Sequence, residues 1–139
     1  MDKVLNTDVV VWATPIYYYE MSGQMKTLID HTNPMYSQDY KFRELYMLST
    51  AAEDEEWVPK RAESGLTGWI DSYPKCELKG ILFCGGVDAP RTIEGNTKLQ
   101  KAYEMGKNSW SYLYFISNLL FVKQKKKKNR CNHRFDDCT

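Results

Sequence analysis

Three short apolar runs, each followed by a stretch with helical periodicity, leave this chain few folds to choose from. DVVVWAT at 8–14 is almost wholly apolar and β-branched, opened by Asp8 and closed by Pro15, which suits a strand buried on both faces as in a parallel sheet. ELYMLSTA at 44–51 and GILFCGG at 80–86 read as the second and third strands. After the first strand Ser22 caps a helix whose Met21, Met25, Leu28 and Ile29 share a face, and Asn33 and Pro34 stop it. After the acidic EDEE, Pro59 leads a helix carrying Ala62, Leu66, Trp69 and Ile70 on one side, against which Gly65 and Gly68 count. Asn96 caps a third helix with Leu99, Ala102 and Tyr103. A β-α-β-α-β-α order predicts an open three-layer α/β sheet, and such sheets bind ligands outside the carboxyl ends of their strands. The segments at that edge are Pro15 to Glu20, Thr50 to Val58 and Gly85 to Gly95.

At 139 residues the chain has the size of one domain, and 42% apolar with 14% aromatic residues belongs to a globular protein. The net charge of +1 conceals two unlike parts. Through Asn108 there are twelve basic and sixteen acidic residues; from Ser109 onward there are seven basic and two acidic. We read residues 1–108 as the folded domain and 109–139 as a hydrophobic, then basic tail. Cys76, Cys84, Cys131 and Cys138 form no CxxC and follow no signal peptide, so the expected compartment is the reduced cytoplasm. The longest apolar stretch, WSYLYFISNLLFV at 110–122, is broken by Ser and Asn and is shorter than the roughly 20 residues of a membrane span.

The stretch TPIYYYEMSGQMKTLID, residues 14–30, puts a proline and three tyrosines between the first strand and its helix. A flat, partly apolar ring ligand needs walls that stack on its faces and backbone groups for its polar edge, and Ile16, Tyr17, Tyr18 and Tyr19 offer both. The plainer alternative is that these tyrosines cover the sheet edge or fill a subunit interface.

The same stretch resembles the strand-loop-helix segment of the NAD(P)H-dependent FMN reductase family, flavodoxin-like enzymes with a T/S-P-x-Y turn ahead of an S-x-Q-x-K-x-x-x-D helix. Pro15, Tyr17, Ser22, Gln24, Lys26 and Asp30 stand in register with that pattern, and LSTAAED and the LFCGG strand end sit where the family has its next two strands. The resemblance covers about residues 1–108 and implies that Pro15, Ile16, Tyr17 and Tyr18, with Thr50, Ala51, Ala52 and Glu53 from the next turn, frame a flavin ring. It further implies FMN and NAD(P)H as cofactors, with a hydride passing from the nicotinamide through the flavin to a small acceptor. The flavin carries that chemistry itself, so no catalytic side chain is expected. His31 stands where relatives commonly have Arg and is assigned no role.

On this resemblance MDKVLNTD is the end of a helix and the chain then passes into the family's third strand. The expected fold is therefore a flavodoxin-like open parallel sheet lacking the first two strands and the phosphate-binding turn. Its first strand would expose an edge, to be covered by a second copy, a partner chain or the tail. Cys76 and Cys84 are then core residues rather than cluster ligands. A rival reading is a non-catalytic interaction module that docks through this edge.

The tail resembles nothing we can place, and its Lys, Asn, Phe, Ile, Tyr and Leu bias is what adenine- and thymine-rich codons encode, so read-through or a frame change is one explanation. KQKKKKNR at 123–130 has no interleaved aromatic platform, which favours a solvated basic tail over nucleic-acid binding. Cys131, His133 and Cys138 are ligand types for zinc but match no compact finger spacing. The segment 110–122 reads as the cover of the open edge rather than an interfacial anchor.

Overall fold

The computed structural model describes residues 1–120, with side chains through Ser109. The lysine run, the zinc-type residues and the side chains of 110–122 lie outside the described residues. A short helix α1 (Asp2–Leu5) leads to β1 (Val9–Tyr17), a two-residue strand β2 (Glu20–Met21), α2 (Gly23–His31), a 3₁₀ turn (Asn33–Met35), β3 (Glu44–Thr50), α3 (Lys60–Ile70), β4 (Glu77–Cys84) and α4 (Thr97–Leu120). The strands form one sheet in the order β2-β1-β3-β4, with β1, β3 and β4 parallel and β2 antiparallel to β1. α4 runs on through Asn108 without a break. No helix among the described residues is long and apolar enough to cross a membrane.

Strand periodicity of two sorts the side chains into layers. On one face Val10, Trp12, Leu45 and Met47 are buried beneath Ala62, Leu66 and Ile70 of α3 and Ile29 of α2. On the other, α4 crosses the sheet, where Ala102, Met105 and Ser109 line a small cavity with Val11, Tyr46 and Leu48. The fold is thus the expected three-layer α/β arrangement. β1 is nevertheless not buried on both sides: its residues alternate, and Val11 is 50% exposed. An apolar run states what a strand tolerates; its neighbours decide what is covered.

The core is an aromatic cluster. Trp12 meets Trp69 edge to face at 5.1 Å, and Phe42 stacks on Tyr40 at 4.5 Å and packs on Tyr73 at 5.3 Å. Trp69 donates its indole N–H to Thr32 Oγ1 at 2.7 Å, and the Tyr40 hydroxyl accepts the backbone N–H of Lys75 at 2.9 Å, so two polar handles are satisfied inside it. Cys76 donates to the Tyr73 carbonyl at 2.9 Å, and burial pushes its thiol up. That is the chemistry of a core thiol and the opposite of a thiolate ligand.

Ser22 caps α2 as its sequence position suggests, its hydroxyl accepting the Met25 N–H at 3.2 Å. Ser22→Ala is expected to cost about 1 kcal/mol, read as a lowered midpoint in urea unfolding. Leu28 departs from the expected face of this helix: it is 52% exposed, while Ile29 takes the buried position. β4 starts three residues ahead of the expected Gly80. Leu78 opposes Leu45 and Gly80 opposes Tyr46, leaving Lys79 as an extra residue in a bulge.

Candidate functional site at the carboxyl edge of the sheet

The segment expected to be a loop is mostly strand. β1 continues through Pro15 and Ile16 to Tyr17, turns on Tyr18 and Tyr19, and returns as β2 with Ile16 opposite Met21 and Tyr17 opposite Glu20. Both turn residues have positive φ, 50° and 69°. Two such residues in a two-residue loop give the hairpin form that matches strand twist, a position that ordinarily selects Asn-Gly. For a residue with a β-carbon the left-handed conformation costs roughly 1–2 kcal/mol. Something outside the turn must hold it there.

The neighbours do so. Tyr19 packs on Trp57 at 4.8 Å, and the Arg61 guanidinium lies over the Tyr19 ring at 6.0 Å. On the return side the Ser22 N–H donates to the buried Thr14 hydroxyl at 3.0 Å, tying the hairpin to β1 just before α2 begins. Tyr18 is left 95% exposed, a ring presented to solvent by a constrained backbone.

The second and third loops are laced together beside this hairpin. Ala51 donates to the Cys84 carbonyl at 3.3 Å, Val87 to the Ala51 carbonyl at 2.8 Å and Gly86 to the Glu53 carbonyl at 3.4 Å. Gly85 sits so close under this loop that a β-carbon there would be 2.5 Å from the Glu53 carbonyl oxygen and in collision with Asp54 Cα. Close backbone approach, and not an unusual φ, is what Gly85 provides.

Between hairpin and loop lies a cavity of about 360 Å³ lined by Ile16, Tyr17, Tyr18, Tyr19, Ala51, Ala52, Glu53 and Val58. Its volume lies within the ~300–1,000 Å³ typical of small-molecule sites. Of the eight residues the sequence singles out, Ile16, Tyr17, Tyr18, Ala51, Ala52 and Glu53 are on its walls. Pro15 and Thr50 are opposed across β1 and β3 and are not among the lining residues. Tyr19 suits a wall by its residue type but stands outside the set the resemblance implies, Val58 ends the Thr50 to Val58 segment without an expected role, and Trp57 and Arg61 are not foreseen as supports. A tryptophan directly after an acidic run in a strand-end loop is a signal for Trp57; nothing in the sequence points to Arg61. Two larger hollows, about 490 and 580 Å³, follow the seam between α2 and α3 and share Lys26 and Gly65. The smaller cavity is the better site because it alone sits where the parallel strands β1 and β3 end.

Comparison with known proteins bears on the family and the fold. Residues 1–56 match the family model described as NADPH-dependent FMN reductase. Among solved structures the chain is similar to the Trp repressor binding protein from Bacillus subtilis, at 16% identity with a TM-score of 0.58, over 73% of this chain and 69% of that one. At that identity the likeness speaks for the fold. None of the curated proteins matches the chain. The matched family implies FMN and NAD(P)H as cofactors and supports the class of flavin-dependent NAD(P)H oxidoreductases. The chain's first 56 residues thus match the NADPH-dependent FMN reductase family and its fold is flavodoxin-like, as the resemblance in its sequence implies.

Proposed function

We propose that the cavity between the tyrosine hairpin and the Ala51–Glu53 loop holds the ring system of a flavin, in an oxidoreductase that takes a hydride from a reduced nicotinamide and delivers it to a small acceptor such as a quinone or free flavin. The observation that carries this reading is the convergence of Ile16, Tyr17 and Tyr18 with Ala51, Ala52 and Glu53 on one cavity at the strand ends. When bound, the flavin supplies the hydride chemistry. The chain supplies apolar and aromatic walls that stack on a flat ring, with Tyr19 of the hairpin packed against Trp57 and under Arg61.

The lining residues suit the ring better than the rest of FMN. They include no lysine or arginine, and the one carboxylate among them, Glu53, is the wrong sign for a phosphate. The fit therefore extends to the uncharged tricycle only.

Titrating the folded protein with a flavin, followed by quenching of flavin fluorescence, tests the reading. We expect saturable binding, weakened about two- to tenfold in Tyr17→Ala, the equivalent of the ~0.5–1.5 kcal/mol of one aromatic contact. Absence of binding to a chain that is folded by circular dichroism would overturn it.

A second reading has its own observation. Along Val9–Thr14 the outer edge of β1 has no strand partner among the described residues, since β2 reaches only Ile16 and Tyr17. Such an edge offers unpaired backbone groups to a second copy or a partner chain. A change of mass in sedimentation without added flavin supports that role, alone or alongside flavin binding.

A further inference from the structure

The charges around the cavity carry more than its shape does. Glu53 is on the wall, and Asp54, Glu55 and Glu56 follow it, all exposed, on the loop that leads to Trp57. Glu20 stands across from Tyr17 on the hairpin, and Asp88 is exposed in the third loop. Among the described cations, Lys60 is paired with Glu63 at 2.9 Å and Arg91 with Glu94 at 3.8 Å, while Arg61, over Tyr19, keeps one positive charge against six carboxylates. The three strand-end segments that surround the site thus carry these carboxylates, with Glu53 on its wall. Such a field lowers the local concentration of anions and leaves uncharged ligands unaffected, and its reach is set by ionic strength.

We propose that this site selects by charge, taking an uncharged isoalloxazine and disfavouring the phosphate dianion, so that riboflavin binds more tightly than FMN. The inference rests on the reading of the cavity as a flavin-ring site and names the form of flavin it takes. A phosphate ester carries about −1.5 to −2 charge at pH 7. Near the cavity mouth it would meet the field of Glu53 and the carboxylates that follow it, and the lining among the described residues includes no lysine or arginine.

The experiment is a pair of titrations of the full chain, with riboflavin and with FMN, at low salt and at about 1 M, where the Debye length falls to ~3 Å. Riboflavin is expected to bind about two- to tenfold more tightly than FMN at low salt, with the gap closing at high salt because FMN gains and riboflavin stays the same. The double substitution Glu55→Gln with Glu56→Gln, on exposed residues outside the cavity wall, should narrow the low-salt gap by raising FMN affinity. If FMN binds more tightly than riboflavin and weakens as salt rises, the charge selection is wrong while the ring site stands. If neither flavin binds a folded chain, the ring site falls and this inference with it.

Discussion

Phe42→Ala should be the most damaging single truncation in the chain, lowering stability by about 3–5 kcal/mol. Phe42 precedes β3 in a segment without regular structure, yet its side chain is wholly buried and contacts Tyr40, Tyr73 and, at 6.0 Å, Trp69. Removing the ring forfeits its own transfer free energy and leaves a cavity whose walls are rigid aromatic rings, poorly able to collapse. Small domains have only about 5–15 kcal/mol to lose. With a urea slope of roughly 1–3 kcal/mol/M, the midpoint should fall by more than about 1 M. A shift of a few tenths of a molar unit would mean that the segment 40–43 does not anchor the cluster.

The second large effect is expected at Gly85→Ala. Adding one methyl drives it into the Glu53 carbonyl and the Asp54 backbone, neither of which can rotate away as a flexible side chain could. Overpacking of this kind typically costs about 1–3 kcal/mol. The relief available is displacement of the 51–54 loop, which breaks the hydrogen bonds from Gly86 and Val87 and opens the cavity on the Ala51–Glu53 side. Gly86→Ala is the informative control: its φ of 68° also penalises a β-carbon, but nothing lies within 4 Å of one. Loss of flavin binding in Gly85→Ala beyond that in Gly86→Ala would separate loop displacement from backbone strain. Equal losses would assign both to strain.

Which parts of this architecture could be read in advance follows from physics. The three parallel strands were legible as short apolar runs and their helices through period-3.6 patterns, although the runs did not say which strand faces are covered, and Ser22 was legible because a cap is a local hydrogen bond. α3 forms despite Gly65 and Gly68, since Ala62, Leu66 and Ile70 bury a full stripe and packing outweighs propensity. The start of β4 was hidden because Glu77 and Lys79 are polar residues on an edge strand. The hairpin was illegible for a different reason: Tyr-Tyr in place of Asn-Gly carries no turn signal, and its geometry is imposed by Trp57 and Arg61 from the next βα unit. Gly85 could be seen as a strand terminator, but its collision partners come from a loop some thirty residues earlier.

Because the turn at Tyr18 and Tyr19 is held by its neighbours and not by its own preferences, it is the place where the sheet should open first. Amide hydrogen exchange at the Tyr17–Glu20 pair is then expected to be fast compared with the centre of β1, by local opening that leaves the aromatic cluster intact. A ring lodged against Tyr17 and Tyr18 would close that opening and slow exchange there while leaving the amides of α3 unchanged. The strained turn would thus act as a gauge of occupancy, readable amide by amide even where no turnover is measured.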